Sequence, residues 1–224
     1  MGRSERTCVL GHTQALHPEV LGPRCDGPVP VALGIPAPRP RAVAVLFSAA
    51  GIGQRFTRGG STAERVMIKV LFVCMGNICR SPMGQGVFQK LVCDAGLEDR
   101  IEVDSAGTHA YHLGEAPDPR AREVAARRGY ALEDLRARKA VPEDVVEYDY
   151  IVAMDYDNLA HLKEMAPPEH QDKLFLFMEF APDRSEREVP DPYYGSHTGF
   201  DRVLDLVEEA CEGLLLEIQR REGI

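Results

Sequence analysis

Between Ile68 and Asp94 the chain places a short apolar run, a nine-residue loop and a helical repeat in immediate succession. Ile68 to Val73 is rich in β-branched and aromatic residues, as expected of a strand buried on both faces of a parallel sheet. Met83, Val87, Phe88, Leu91 and Val92 recur at helical spacing, which predicts a first helix over Ser81 to Asp94 with Gly96 as its stop. The segment between them is Cys74-Met75-Gly76-Asn77-Ile78-Cys79-Arg80-Ser81-Pro82. A tight loop leading from a buried strand into a helix N-terminus leaves few architectures open.

The same alternation continues downstream. Ile101 to Ser105 predicts a second strand, followed by a loop to Pro117 and a charged helix ending at Arg128 before Gly129. Tyr148 to Met154 predicts a third strand, Tyr156 to Met165 a helix stopped by Pro167-Pro168, and Lys173 to Phe177 a fourth strand. Phe200, Val203, Leu204, Val207, Cys211, Leu214, Leu215 and Ile218 share one face of a last amphipathic helix, with Thr198 as its N-cap. Strands alternating with helices predict an open parallel α/β sheet covered on both faces.

Residues 1 to 66 read differently. Pro, Gly and Arg are frequent and periodicity is lost, the composition of a disordered leader. Met-Ile-Lys at 67 to 69 opens directly into a strand, so translation is expected to begin at Met67 and the folded domain to span 67 to 224. Charge divides at the same place. The first 66 residues carry eight Arg, no Lys and four acids, leaving 18 basic and 31 acidic residues for the remainder. A body this acidic repels a nucleic-acid backbone, so no nucleic-acid partner is expected. No apolar run approaches the roughly 20 residues of a membrane-spanning helix. Six cysteines without a disulfide spacing suit the cytoplasm, and Cys74 and Cys79 lack a second ligand pair for zinc, so no metal is expected.

The loop itself points to phosphate. At a helix N-terminus, backbone N–H groups curled inward form an anion nest, and the helix dipole adds positive potential. Gly76 and Asn77 tolerate the dihedrals such a curl needs, and Pro82 falls where a first-turn proline sacrifices no hydrogen bond. Helix N-termini and nearby cations favour the thiolate, which makes Cys74 a standing nucleophile with Ser81 able to donate to its sulfur. Arg80 offers a planar fork for two phosphate oxygens, a grip lysine does not reproduce. Asp191-Pro192-Tyr193-Tyr194-Gly195, after the fourth strand, reads either as an ordinary turn or as the carrier of a general acid.

Val-Leu-Phe-Val-Cys-Met-Gly-Asn-Ile-Cys-Arg-Ser-Pro at 70 to 82 together with Asp-Pro-Tyr-Tyr-Gly at 191 to 195 resembles the low-molecular-weight protein tyrosine phosphatase family. Asp104-Ser105-Ala106-Gly107-Thr108, Pro117-Asp118-Pro119-Arg120, Ala137-Arg138 and Met154-Asp155 resemble the family's intermediate motifs in order. The resemblance implies an open four-stranded parallel sheet and a phosphocysteine mechanism with no metal or organic cofactor. It implies Cys74 as nucleophile, Arg80 as phosphate binder and Asp191 as general acid, then base. Met75, Gly76, Asn77, Ile78, Cys79 and Ser81 would contact substrate or shape the loop, with Asn77, Ser81 and Ser105 forming a hydrogen-bonded network beneath it. Tyr111 would form one wall of a slot and Tyr193 and Tyr194 the other, suiting a flat phenyl phosphate.

Ile78 stands where relatives acting on phosphoarginine carry threonine, which favours phosphotyrosine. Met75 replaces a common leucine. A histidine often found before Ala137-Arg138 is replaced by Leu135 or Arg136, implying a loop held less tightly. Cys79 reads either as a packed thiol or as a redox partner of Cys74 recovered by thioredoxin or glutathione. The expected partner is a tyrosine-phosphorylated protein, such as a tyrosine kinase. Two rivals remain at this point: an arsenate reductase, for which Cys93 and Cys211 would have to lie on a mobile segment, and a phosphotyrosine-binding module without catalysis.

Overall fold

The computed structural model describes residues 67–194 and 197–224, with 197 and 198 described through their backbone only. The leader expected over residues 1 to 66, the boundary drawn at Met67 and the Gly195 of the acidic loop lie outside the described residues.

Four parallel strands form one sheet in the order β2-β1-β3-β4: β1 (Ile68–Cys74), β2 (Ile101–Gly107), β3 (Tyr150–Ala153) and β4 (Leu174–Leu176). The two-residue period of β1 explains why it sits at the centre. Val70 and Phe72 face one core with Tyr150 and Val152, while Leu71 and Val73 face the other with Ile151, Ala153, Leu174 and Leu176. Both faces therefore need covering. On the first, helices α1 (Arg80–Asp94), α2 (Pro119–Arg127) and α5 (His197–Glu222) contribute Phe88, Val124, Phe200 and Leu204. On the second, α3 (Pro142–Glu147) and α4 (Tyr156–Met165) contribute Val145, Leu159 and Leu162. Phe72 anchors the larger core, meeting the Phe88 and Phe177 rings edge-on at 5.6 and 5.4 Å, a favoured aromatic geometry.

The open four-stranded parallel sheet with helices on both faces is the expected fold, with local corrections. Helix α3 was not anticipated, because six residues with three acids and two valines show no helical period. It shortens β3, which starts at Tyr150, and sends the Tyr148 hydroxyl to Asp104. Phe177 leaves β4 for a 3₁₀ turn, Phe177–Phe180. Helix α5 starts at His197, one residue before its expected cap Thr198, whose side chain lies outside the described residues. Gly213 lets α5 approach this turn, since a Cβ there would stand 1.9 Å from the Phe180 carbonyl oxygen. No helix among the described residues is long and apolar enough to cross a membrane.

The order in which strands are added reverses about β1: β2 lies on one side and β3 on the other. In open parallel sheets this switch point leaves a crevice at the carboxyl ends of the strands. Cys74, the last residue of β1, stands at that crevice.

Candidate active site

Residues 74 to 80 turn around the carboxyl end of β1. Asn77 is the one described non-glycine residue with a positive φ, 55°, where its short polar side chain is tolerated. Gly76 does not share it. Space is tight there instead, because a Cβ would lie 3.1 Å from the His112 ring and the ring would have to give slightly. Cys79 precedes α1 without a side-chain cap hydrogen bond, so the first-turn N–H groups of α1 have no side-chain acceptor there.

Beneath the loop the polar atoms form a directed network. Asn77 accepts from the Arg138 backbone N–H at 2.9 Å and donates through Nδ2 to Ser81 Oγ and Ser105 Oγ, both at 2.9 Å. The Ser105 hydroxyl donates to Gln85 Oε1 at 2.7 Å. Ser81 Oγ lies 3.1 Å from Cys74 Sγ, and the Asn77 N–H donates to the same sulfur at 3.3 Å. With Asn77 supplying one hydrogen to Ser81, the Ser81 hydroxyl has its own to share between the Cys74 sulfur and the Ala106 carbonyl, 3.3 Å away. Asn77, Ser81, Ser105 and Gln85 are all buried, and none has an unpaired buried side-chain atom. Without a histidine before Ala137-Arg138, the Arg138 N–H and Gln85 are the groups that complete the network.

Arg80 is buried, and its guanidinium is held on three sides. Nη1 pairs with Asp155 and donates to the Val189 carbonyl at 3.1 Å, while Nη2 pairs with Asp191 Oδ2 at 3.0 Å. Burial opposes the charge, but Cys74, Asp191 and Asp155 outweigh it and hold the guanidinium above the ordinary arginine pKa. Asp155 also caps α4 by accepting from the Asn158 N–H at 2.7 Å.

A pocket of about 260 Å³ joins these groups, lined by Cys74, Met75, Gly76, Ile78, Cys79, Arg80 and Asp191, with Tyr111, His112, Tyr193 and Tyr194 around its mouth. Every residue expected at the site is therefore brought together, with Asn77 and Ser81 beneath the floor. His112 was missed, and so were the contact of Asp155 with Arg80 and the part of Gln85 in the network. Asp155 carried the available signal, as a helix cap directly after a parallel strand.

Asp118 and Arg120 fasten the acidic loop to α2. Asp118 caps α2 through the Arg120 N–H at 2.8 Å, and Arg120 Nη2 reaches both Asp118 Oδ2, at 2.8 Å, and the Tyr193 carbonyl, at 3.1 Å. The Arg120 hydrogen bond holds the Asp118 carboxyl below the usual aspartate pKa despite burial. A depressed carboxylate stabilises the fold above its unfolded value, about 3.9, and that contribution is lost as pH falls through the folded value. Asp118→Asn is expected to lower stability at pH 7 by about 1–2 kcal/mol. Thermal melts should show the gap from wild type narrowing below about pH 4; a gap independent of pH would contradict the ion-pair account.

Fold and pocket together define a phosphate-site α/β protein whose thiol, guanidinium and carboxylate converge at a sheet's carboxyl edge. Residues 69–223 match the family described as low molecular weight phosphotyrosine protein phosphatase, and the chain belongs to that family. The low molecular weight protein-tyrosine-phosphatase YfkJ of Bacillus subtilis is 38% identical over 158 residues, 70% of this chain and 100% of that protein. The low molecular weight phosphotyrosine protein phosphatase of Schizosaccharomyces pombe is 46% identical over 143 residues, 63% of this chain and 91% of that one. The crystal structure of a protein tyrosine phosphatase from Entamoeba histolytica superposes with a TM-score of 0.67 at 41% identity, covering 69% of this chain and 99% of that one.

Proposed function

We propose that this protein hydrolyses phosphotyrosine in proteins, and small aryl phosphates, through a phosphocysteine intermediate. The observation that carries the reading is the convergence of Cys74 Sγ, the Arg80 fork and Asp191 on one pocket walled by tyrosines. Cys74 attacks phosphorus as the ester P–O bond breaks, and the Asp191 carboxylic acid gives its proton to the departing phenoxide. Arg80 takes two equatorial oxygens as the phosphoryl group flattens. Asp191, now a carboxylate, accepts a proton from water that attacks the phosphocysteine, releasing phosphate and the thiolate.

Tyr111, Tyr193 and Tyr194 are exposed at the mouth, so a phenyl ring can lie between their faces with its phosphate on the loop. A phosphoserine ester is shorter and stops above Cys74. A panel of phosphotyrosine, phosphoserine and phosphoarginine peptides beside p-nitrophenyl phosphate tests this directly. Turnover of the phosphotyrosine peptides and p-nitrophenyl phosphate alone is expected, and preference for phosphoarginine would overturn the substrate class.

The partners this implies are tyrosine-phosphorylated proteins, tyrosine kinases among them, met in the cytoplasm. Against the arsenate-reductase reading, Cys211 is fully buried on α5. Burial pushes the Cys79 thiol up, with Asp118 and Cys74 adding to it, so Cys79 rests as a neutral thiol. An oxidised Cys74 could still condense with it, expelling water, and be recovered by thioredoxin or glutathione. Peroxide inactivation that dithiothreitol reverses in wild type but not in Cys79→Ala is expected. Inactivation irreversible in both proteins would exclude the role.

A further inference from the structure

Outside the pocket, one cluster of half-buried charge has no part in the chemistry above. Arg138 Nε donates to Asp104 Oδ2 at 2.8 Å and its Nη1 to Asp144 Oδ2 at 2.9 Å, while the Tyr148 hydroxyl donates to Asp104 Oδ2 at 3.2 Å. Both carboxylates are themselves fixed. Asp104 Oδ1 accepts the Ser105 N–H at 2.7 Å, and Asp144 Oδ2 accepts the Val141 N–H at 2.8 Å in the first turn of α3. Burial opposes the Arg138 charge, but hydrogen bonding to Asp144 and the Asp104 field hold it above the ordinary arginine pKa. Ion clusters of this kind contribute little net stability relative to apolar packing. Their effect is to fix position.

What they fix is the Arg138 backbone. Its N–H donates to Asn77 Oδ1, and its carbonyl accepts the Gly107 N–H at 2.8 Å. The Asn77 amide is the hub of the network beneath the loop, and the Arg138 N–H decides which way it faces. Rotated by half a turn, the carboxamide would set its NH₂ against that N–H and withdraw both hydrogens from Ser81 and Ser105. Ser81 would then face the amide oxygen, a new acceptor that draws its proton away from Cys74 and the Ala106 carbonyl. Arg136, beside the position where the family resemblance suggested a histidine, does not reach the network; it donates to the Glu133 and Leu135 carbonyls.

We propose that Arg138, clamped by Asp104 and Asp144, is a positioning residue that sets the orientation of Asn77 and thereby the hydrogen bonding of the Cys74 thiolate. The proposal deepens the functional reading and rests on Cys74 being the nucleophile. Its test uses the full chain with Arg138→Met and Asp104→Asn, the latter nearly isosteric. Carboxymethylation of Cys74 by iodoacetate, located by peptide mass spectrometry, is followed against pH. Half-maximal modification is expected at a pH higher by about 0.5 or more in both variants, since the thiolate loses a hydrogen bond to its charged form. With p-nitrophenyl phosphate, kcat is expected to fall about tenfold and KM to change less than about twofold. In an Asn77→Gly background, Arg138→Met should lower kcat no further, because both act through one carboxamide.

A lowered melting temperature with a wild-type modification profile would overturn the proposal, as would fully additive losses in the double variant. If Arg138→Met does not fold, Asp104→Asn decides. Failure of the wild type to hydrolyse any aryl phosphate would defeat the functional reading separately, because the modification profile needs no turnover.

Discussion

Cys74→Ser is expected to remain folded and to lose turnover of p-nitrophenyl phosphate by at least about 10⁴-fold. The fold has little reason to change. Cys74 is buried at the end of β1, and a smaller hydroxyl still offers an acceptor to the Asn77 N–H and a partner to Ser81. The chemistry changes completely, since an alcohol is not ionised by two hydrogen bonds and a helix N-terminus, whereas a thiol is readily tuned that way. Arg80, its carboxylate neighbours and the loop stay in place, so inorganic phosphate should still bind and inhibit labelling of other groups in the pocket. Release of p-nitrophenol within tenfold of the wild-type rate, in a protein with an unchanged thermal melt, would remove Cys74 from the nucleophile's role.

The elements carrying the site were legible because each has one dominant local signal. The β-branched run before Cys74, the Gly-Asn pair within the loop and Ser-Pro at the helix start all agree on strand, turn and helix. Helix α4 was found at its observed bounds, Tyr156–Met165, because Pro167-Pro168 stops it. Helix α3 was invisible for the opposite reason. Its valines pack one at a time, Val145 buried and Val146 exposed, and its acids form no amphipathic stripe, Asp144 serving Arg138 and Glu147 serving Lys69.

The convergence of Asp191 and the tyrosines on the loop was legible only through resemblance. Nothing local to Asp191 says that it lies 3.0 Å from a guanidinium 111 residues away, because that distance is set by the Val189 N–H docking on the Met154 carbonyl at the end of β3. The part played by Asp155 is hidden in the same way: the cap was readable, the second oxygen's partner was not. His112 gave no signal either. It enters the pocket because the loop after β2 folds back over Gly76, with its Nδ1 tied to Glu115 at 2.8 Å.

Asp191→Ala is expected to impose a loss that depends on the leaving group. Asp191 is partly exposed, holds the Tyr193 N–H at 3.0 Å through Oδ1, meets Arg80 through Oδ2 and lines the pocket that an ester oxygen enters. A phenoxide from phosphotyrosine is strongly basic and cannot depart without a proton, while p-nitrophenoxide departs nearly unaided. The variant should lose about 10²–10³-fold in kcat/KM for phenyl phosphate and phosphotyrosine peptides and far less for p-nitrophenyl phosphate. Plotted against leaving-group basicity, log kcat/KM should fall much more steeply than in wild type. The second half of the cycle separates in time: with p-nitrophenyl phosphate, rapid release of one equivalent should precede a slow steady state, because water now lacks its base. Arg80 provides the internal control. Asp155 and the Val189 carbonyl still hold its Nη1 in the variant, so phosphate affinity should change little and the loss should appear in proton transfer. Equal slowing across all leaving groups would place Asp191 with the binding of phosphate and not with the acid step.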